Sequence, residues 1–294
     1  MLILAALHFN ALNGEATLAP LYEAIGEVDP EDFAQGVVGA LEHDPTLVSA
    51  QLHRRTQTNE PGRSAILGQV LRALAGRGTS DVHLIDVGTS MGLNLYPDFY
   101  RTNSGDDGDL LNFEVLELAE PLFDTPLPAI HQRVGIDLNP LDPQTSDDVQ
   151  WLKACLWPEE PLRRRRLEVM LEAMFSWPPA SRRRGSALDV IDDVIDSCPS
   201  GATPVVFHSW VAAYFSRADQ VTWRETMIRH TRSRAIWVYF EYPPAVKGLN
   251  PPAATAASPR PGGSQIVVTE CGREQASWGW THPHGRWIAL SLPG

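Results

Sequence analysis

Val82 to Leu95 reads V-H-L-I-D-V-G-T-S-M-G-L-N-L, and the fold is decided by how this stretch is understood. A short apolar run ending in the acid Asp86 and Val87 passes straight into a Gly-Thr-Ser-Met-Gly turn. Such a run, bounded by turn residues, is the pattern of a strand buried on both faces in a parallel sheet. Gly88 and Gly92 stand where a Cβ would most hinder close approach to the backbone. A helix opening at Gly92 or Leu93 would turn its free N–H groups toward the same space. Strand, cradle and helix N-terminus together are how nucleotide-type cofactors are commonly held. The same five residues, Gly88 to Gly92, also match G-x-S-x-G, the elbow that presents the nucleophile of serine hydrolases.

Working outward, the chain has 294 residues, 43% hydrophobic and 20% charged, which suits one large α/β domain or a domain with an accessory piece. A net charge of −12 argues against a broad nucleic-acid-binding face. Three widely spaced cysteines (Cys155, Cys198, Cys271) offer neither zinc spacing nor a disulfide framework, and they fit a reducing compartment. The apolar opening Met1 to Leu7 lacks a basic flank and a cleavage site, and no apolar run is long enough for a membrane span. The expected location is cytoplasmic and the expected partner a small molecule, with oligomeric state left open.

Residues 1–78 read as helices and 79–294 as the α/β domain. Helical spacing is expected over Ala16–Ile25, from Pro30 through Phe33, Val37, Val38 and Leu41, over Thr46–Arg55 and over Ser64–Ala75. The polar stretch Thr56 to Arg63 caps the last of these, or lies across the mouth of the cradle. An inserted, non-helical stretch is expected at about 96–131, with a turn at Ser104–Gly108 and an alternating run Leu111–Leu118.

Arg133 to Asp137 is a second short strand ending in an acid, and Pro204–Ser209 and Ala235–Glu241 are two more. Helices are expected at Asp147–Cys155, Pro161–Phe175 and Asp219–Thr231, with a short one ending at Asp196. Arg163 to Arg166 reads as a solvated helix face and Arg182-Arg183-Arg184 as a turn. Two strands, Gln265–Glu270 and Arg286–Leu292, close the chain and imply an antiparallel edge on a mostly parallel sheet.

A nucleoside cofactor needs an acid at the end of the second strand to bond ribose hydroxyls, and Asp137 supplies it. It comes 51 positions after Asp86, where a spacing of roughly 20 is usual, and the inserted stretch accounts for the excess. The hydrolase reading could draw on Asp189 and on His282 or His284, but it needs strands before the elbow and none is evident. The cofactor reading is therefore preferred.

These strings carry a resemblance. Asp86 to Gly92, Gly135-Ile-Asp137 and Gly185-Ser-Ala-Leu-Asp189 are similar to the successive motifs of class I S-adenosylmethionine-dependent methyltransferases. Thr56 to Arg63, Gly92 to Leu95, Gly135 to Asp142 and His282 to Trp287 more specifically resemble a bacterial family catalogued as domain of unknown function 2332. The resemblance implies a Rossmann-like α/β fold with a mostly parallel sheet, an antiparallel edge strand and an N-terminal helical cap.

It also implies an S-adenosylmethionine site. Asp86, Gly88, Ser90, Gly92 and Asn94 would surround the methionine and ribose end. Asp137 and Leu138 would hold the ribose and flank adenine, and Ser186 with Ala187 would meet the adenine edge. Ser90 stands where the methyltransferase loop has its middle glycine, and Ser186 where an acid is often found. Glu60 or His208 could serve as base for a protonated methyl acceptor, and Asn59 and Arg63 could fix a polar substrate. His282 and His284 read as a structural turn and not as a metal site. Three function classes follow: methyl transfer to a small molecule, hydrolysis through Ser90, or ligand binding without catalysis.

Overall fold

The computed structural model describes residues 1–99, 114–118, 125–254 and 256–292. The expected turn at Ser104–Gly108 and the start of the alternating run at Leu111 lie outside them. The chain divides into two compact units: Met1–Asn59 with Leu141–Phe175, and Glu60–Pro140 with Ser176–Gly294.

The first unit is helical, with α1 (Leu2–Leu12), α2 (Leu18–Glu23), α3 (Pro30–His43) and α4 (Thr46–Ser49). It regains two helices from much later in the chain, α6 (Ser146–Ala154) and α7 (Pro161–Ala173). Asp29 caps α3 by accepting from the Glu31 N–H, ahead of Pro30 in the first turn. The His8 ring bonds the Ala154 carbonyl, and the Trp151 indole N–H donates to the Arg55 carbonyl, so α6 is tied to the opening residues. Arg163 on α7 is buried, unlike the exposed face expected of the arginine run.

The second unit begins with α5 (Pro61–Gly76), a helix within the 1–78 stretch expected as the helical region. Its sheet holds β1 (Asp81–Val87), β2 (Glu114–Leu118), β3 (Ala129–Asp137), β4 (Ser181–Arg184), β5 (Thr203–Ser209), β6 (Ile236–Glu241), β7 (Ser264–Thr269), β8 (Ala276–Thr281) and β9 (Trp287–Leu290). They lie in the order β2-β9-β8-β7-β6-β5-β1-β3-β4. The run β6-β5-β1-β3-β4 is parallel, β7, β8 and β9 extend it antiparallel, and β2 pairs parallel with β9 at the far edge.

The arginine run expected as a turn is thus the edge strand β4, and β8 adds a strand to the two expected at the end. Charged side chains suit an edge strand, where they discourage pairing with other chains.

One face of the sheet packs Val82, Leu84, Val205, Phe207 and Val238 against Ile66, Leu67, Val70 and Leu74 of α5. The other packs Ile85, Val87, Val206, Trp237 and Tyr239 against α8 (Ala187–Asp196) and α9 (Arg217–Thr231). The fold is Rossmann-like: a largely parallel α/β sheet with helices on both faces and an antiparallel extension.

Candidate functional site

From β1 the chain crosses to β3 and β4 on one side, then returns to β5 and β6 on the other. A reversal of this kind opens a crevice outside the carboxyl ends of the strands, here between β1 and β5. The cradle Gly88–Gly92 lies there, with Asp137 at the end of β3 and the Ser209-Trp210-Val211 turn at the end of β5.

The cradle is shaped by backbone twist. Gly88 and Gly92 have φ of +73° and +96°, in the left-handed region, and Ser90 joins them at +54°. Four of its backbone donors are spent inside the protein. The Gly88 and Thr89 N–H groups donate to the Ile136 carbonyl, and that of Gly92 to the Thr89 carbonyl. The Ser90 N–H donates to one Asp137 oxygen at 2.9 Å, while the other accepts from the Asn139 N–H at 2.8 Å.

The expected helix after the cradle is only a single 3-10 turn, Leu93–Leu95, because Pro97 follows and cannot continue it. The dipole of a full helix is therefore not directed into this crevice. Two arginines that sequence reasoning missed hold the segment instead. Arg182 of β4 donates to the Met91 carbonyl, and Arg133 of β3 to the Leu95 carbonyl and, through both terminal nitrogens, to Asp98.

Beside Gly88 stands Val211, whose Cγ2 would lie 2.2 Å from a Cβ built on that glycine. A ligand lying over Gly88 therefore needs Val211 to move.

Asp86 sits on the α5 face with three-way company. Its carboxyl is fully enclosed, and burial, reinforced by nearby Asp137, pushes it up to about 7, against the opposing pull of Thr89 and Arg63. Arg63, on the first turn of α5, donates to the Ser209 carbonyl at 3.2 Å and the Pro283 carbonyl at 2.8 Å. Around this point Asp86 Oδ2, Ser90 Oγ and Asn94 Oδ1 are buried with no hydrogen-bond partner. Native interiors seldom leave such atoms unmet, and these three belong to the cradle and the residues flanking it.

Glu60, at the head of α5, and Arg63 are both buried, and neither is a solvent-facing connector. Asn59 is also buried, at the last position of the helical unit. The His282-Pro-His284-Gly285 turn docks on α5: a Cβ on Gly62 would lie 2.4 Å from the His284 carbonyl oxygen, and one on Gly285 2.2 Å from Gly62. Two glycines are needed for that contact. Among the described residues no group of three or more His, Cys, Asp or Glu could hold a metal, and no helix is long and apolar enough to cross a membrane.

His208 does not join this cluster. Register places it beside Val87, one position past the Asp86–Phe207 pair, so its side chain leaves from the opposite face. There its Nδ1–H donates to Glu241 Oε1 at 2.9 Å, while Nε2 accepts from the Trp223 indole at 3.2 Å. With both ring nitrogens engaged, His208 has none to take a proton from a substrate. Glu241 Oε1 also accepts from the Val211 and Ala212 N–H groups, each at 2.9 Å, and so fixes the turn that carries Val211.

On the outer side of the crevice, Leu138 is 55% exposed immediately after Asp137. Ser186 stands at the N-cap position of α8 without a side-chain capping bond, and Ala187 is buried just behind it. An exposed apolar residue beside a ribose-type acid suits the edge of a flat heterocycle.

The fold and crevice define a Rossmann-like α/β protein with a crevice at its topological switch point. The chain belongs to the bacterial family catalogued as domain of unknown function 2332, described as an uncharacterized protein conserved in bacteria, whose model matches residues 1–289. No curated protein matches it. Among solved structures, the bifunctional kinase-methyltransferase WbdD is similar at 11% identity and a TM-score of 0.33, over 73% of this chain and 41% of that one. So distant a likeness says nothing of activity.

Proposed function

We propose that the crevice binds S-adenosylmethionine and that the protein is a methyltransferase acting on a small molecule. The observation that carries this reading is the set of unmet buried polar atoms, Asp86 Oδ2, Ser90 Oγ and Asn94 Oδ1, gathered at a glycine cradle with an acid at the next strand's end. The residues fit the cofactor. Each Asp137 oxygen already takes one backbone N–H and keeps a lone pair for a ribose hydroxyl, while Leu138, Ser186 and Ala187 offer an edge for adenine. When bound, the cofactor supplies a methyl group activated on a sulfonium.

Methyl transfer asks the protein chiefly for alignment. Arg63 is anchored on two carbonyls and can orient a polar acceptor. Glu60 is the candidate base where the acceptor carries a proton. His208 acts at one remove, helping Glu241 hold the Val211 turn.

The test is calorimetric titration with S-adenosylmethionine and its demethylated product. Asp137→Ala should weaken binding by about 1.5–3 kcal/mol, the scale of hydrogen bonds to a charged group. No heat at millimolar cofactor overturns the reading. The positive φ of Ser90 favours a second reading, since a hydrolase elbow strains its nucleophile in a sharp turn. Its unpartnered Oγ, with no base bonded to it, is the argument against.

A further inference from the structure

A second concavity lies on the same edge of the sheet. Past the end of β6 the chain runs Tyr242-Pro243-Pro244, and the segment leading into β7 brings Pro259, Arg260 and Pro261 beside it. With Trp280 of β8 they line a groove of about 410 Å³. That volume suits a compact molecule of one or two rings. Proline rings make much of its wall. With φ fixed, they keep the groove formed before anything enters, so binding orders little of the protein. The aromatic faces of Tyr242 and Trp280 favour a flat ring laid against them.

One cation lines the groove. Arg260 pairs with Glu114 of β2 at 2.8 Å, the two side chains being 45% and 54% exposed. An exposed pair of this kind contributes little, so an incoming carboxylate can share or displace it.

We propose that this groove is a binding site for a planar aromatic carboxylate, its ring against Trp280 and Tyr242 and its acid at Arg260. A neutral ring would leave the cation unused, and a long acyl chain would overrun so short a space.

The groove adjoins the crevice through a stacked pair. The rings of Tyr242 and Trp210 are 6.3 Å apart and within 2° of parallel. Trp210 has a φ of +58°, a strained conformation for so bulky a residue. It is held there by its N–H to the Phe240 carbonyl and by its indole N–H to Ser264 Oγ at 2.8 Å. The next residue is Val211, which packs on Gly88. The binding claim stands on the groove alone; that the bound acid is also what the crevice acts on rests on the proposed function.

The experiment is ligand-observed NMR on the intact protein with indole-3-acetate and 4-hydroxybenzoate, set against indole-3-acetamide and octanoate. Both aromatic acids should bind, and better than the amide or the aliphatic acid. Arg260→Gln should weaken the aromatic acids roughly tenfold, the loss of one charge-assisted hydrogen bond, and leave the amide unchanged. Trp280→Leu should abolish binding, with Tyr242→Ala as a second, exposed variant if Trp280→Leu fails to fold.

No aromatic acid bound at millimolar concentration, octanoate bound as well as the rings, or binding indifferent to Arg260→Gln each overturns the proposal. A parallel titration with S-adenosylmethionine separates the two ideas. Aromatic acid bound without cofactor leaves the groove and removes the methyltransferase reading, whereas cofactor bound without aromatic acid does the reverse.

Discussion

Where β1 and β5 end, the two faces of the sheet carry polar residues under different terms. On the α9 face one oxygen of Glu241 accepts from His208, Val211 and Ala212, and the His208 ring is used at both nitrogens. Glu241 Oε2 is left unmet there, as is Trp237 Nε1 further along the same face. On the α5 face Asp86, Ser90 and Asn94 each keep a buried polar atom with no partner. The first arrangement spends its chemistry on shape, holding a turn of strained backbone. The second keeps its chemistry in reserve, which is the condition for meeting a ligand. Asp86, expected as a cofactor contact, and His208, expected as a base, thus sit in different surroundings one register position apart.

The largest expected effect falls on the shape-holding face. Glu241→Leu removes the acceptor of three donors, two of them fully buried, and should cost about 3–5 kcal/mol in urea unfolding, the scale of breaking a buried polar pair. An unchanged midpoint would mean that the turn holds itself and the contrast between faces is false.

On the other face the expected signal is a slope with pH. Asp86 is raised from 3.8 to about 7 in the folded protein, so between those values the folded state binds the proton more than the unfolded state does. Stability from this group is therefore present below the unfolded value and lost as pH rises through about 7. At 1.36 kcal/mol per pKa unit the whole loss approaches about 4 kcal/mol as a ceiling. Unfolding curves between pH 5 and 8, a range of about three units around the folded value, should fall in the wild type and flatten in Asp86→Asn. An equal slope in both proteins would move the titration elsewhere.

The smallest effect is expected at Ser90. Removing an unpartnered buried hydroxyl loses no hydrogen bond, so Ser90→Ala should change stability by less than about 1 kcal/mol. A fluorophosphonate probe should leave wild-type Ser90 unlabelled. Stoichiometric labelling that vanishes in Ser90→Ala would turn the crevice into a hydrolase site.

Much of the fold can be read without coordinates because the central strands are buried on both faces. Val82–Val87, Arg133–Asp137, Pro204–Ser209 and Ala235–Glu241 announce themselves as short apolar runs, and all four are strands. The turn at Gly88 and Gly92 was equally plain, since only residues tolerant of positive φ make it cheaply. The edges were harder. Ser181–Arg184 is polar throughout and Ala276–Thr281 carries Gly279 inside it, so neither shows an apolar run. Each becomes a strand because a neighbour offers it unpaired backbone groups, a fact about the neighbour.

The site divides along the same line. Residue types and order alone determined that an acid-ended strand, a glycine turn and a second acid-ended strand would meet around Asp86 and Asp137. Tertiary structure decided which face each side chain takes, because strand register sends Asp86 toward α5 and His208 toward α9. It also decided that residues 141–175 return to the helical unit, and that Arg133 and Arg182 hold the cradle from strands distant in the chain. Local sequence sets backbone preference within a few residues, whereas register and long-range packing depend on partners that no local pattern names.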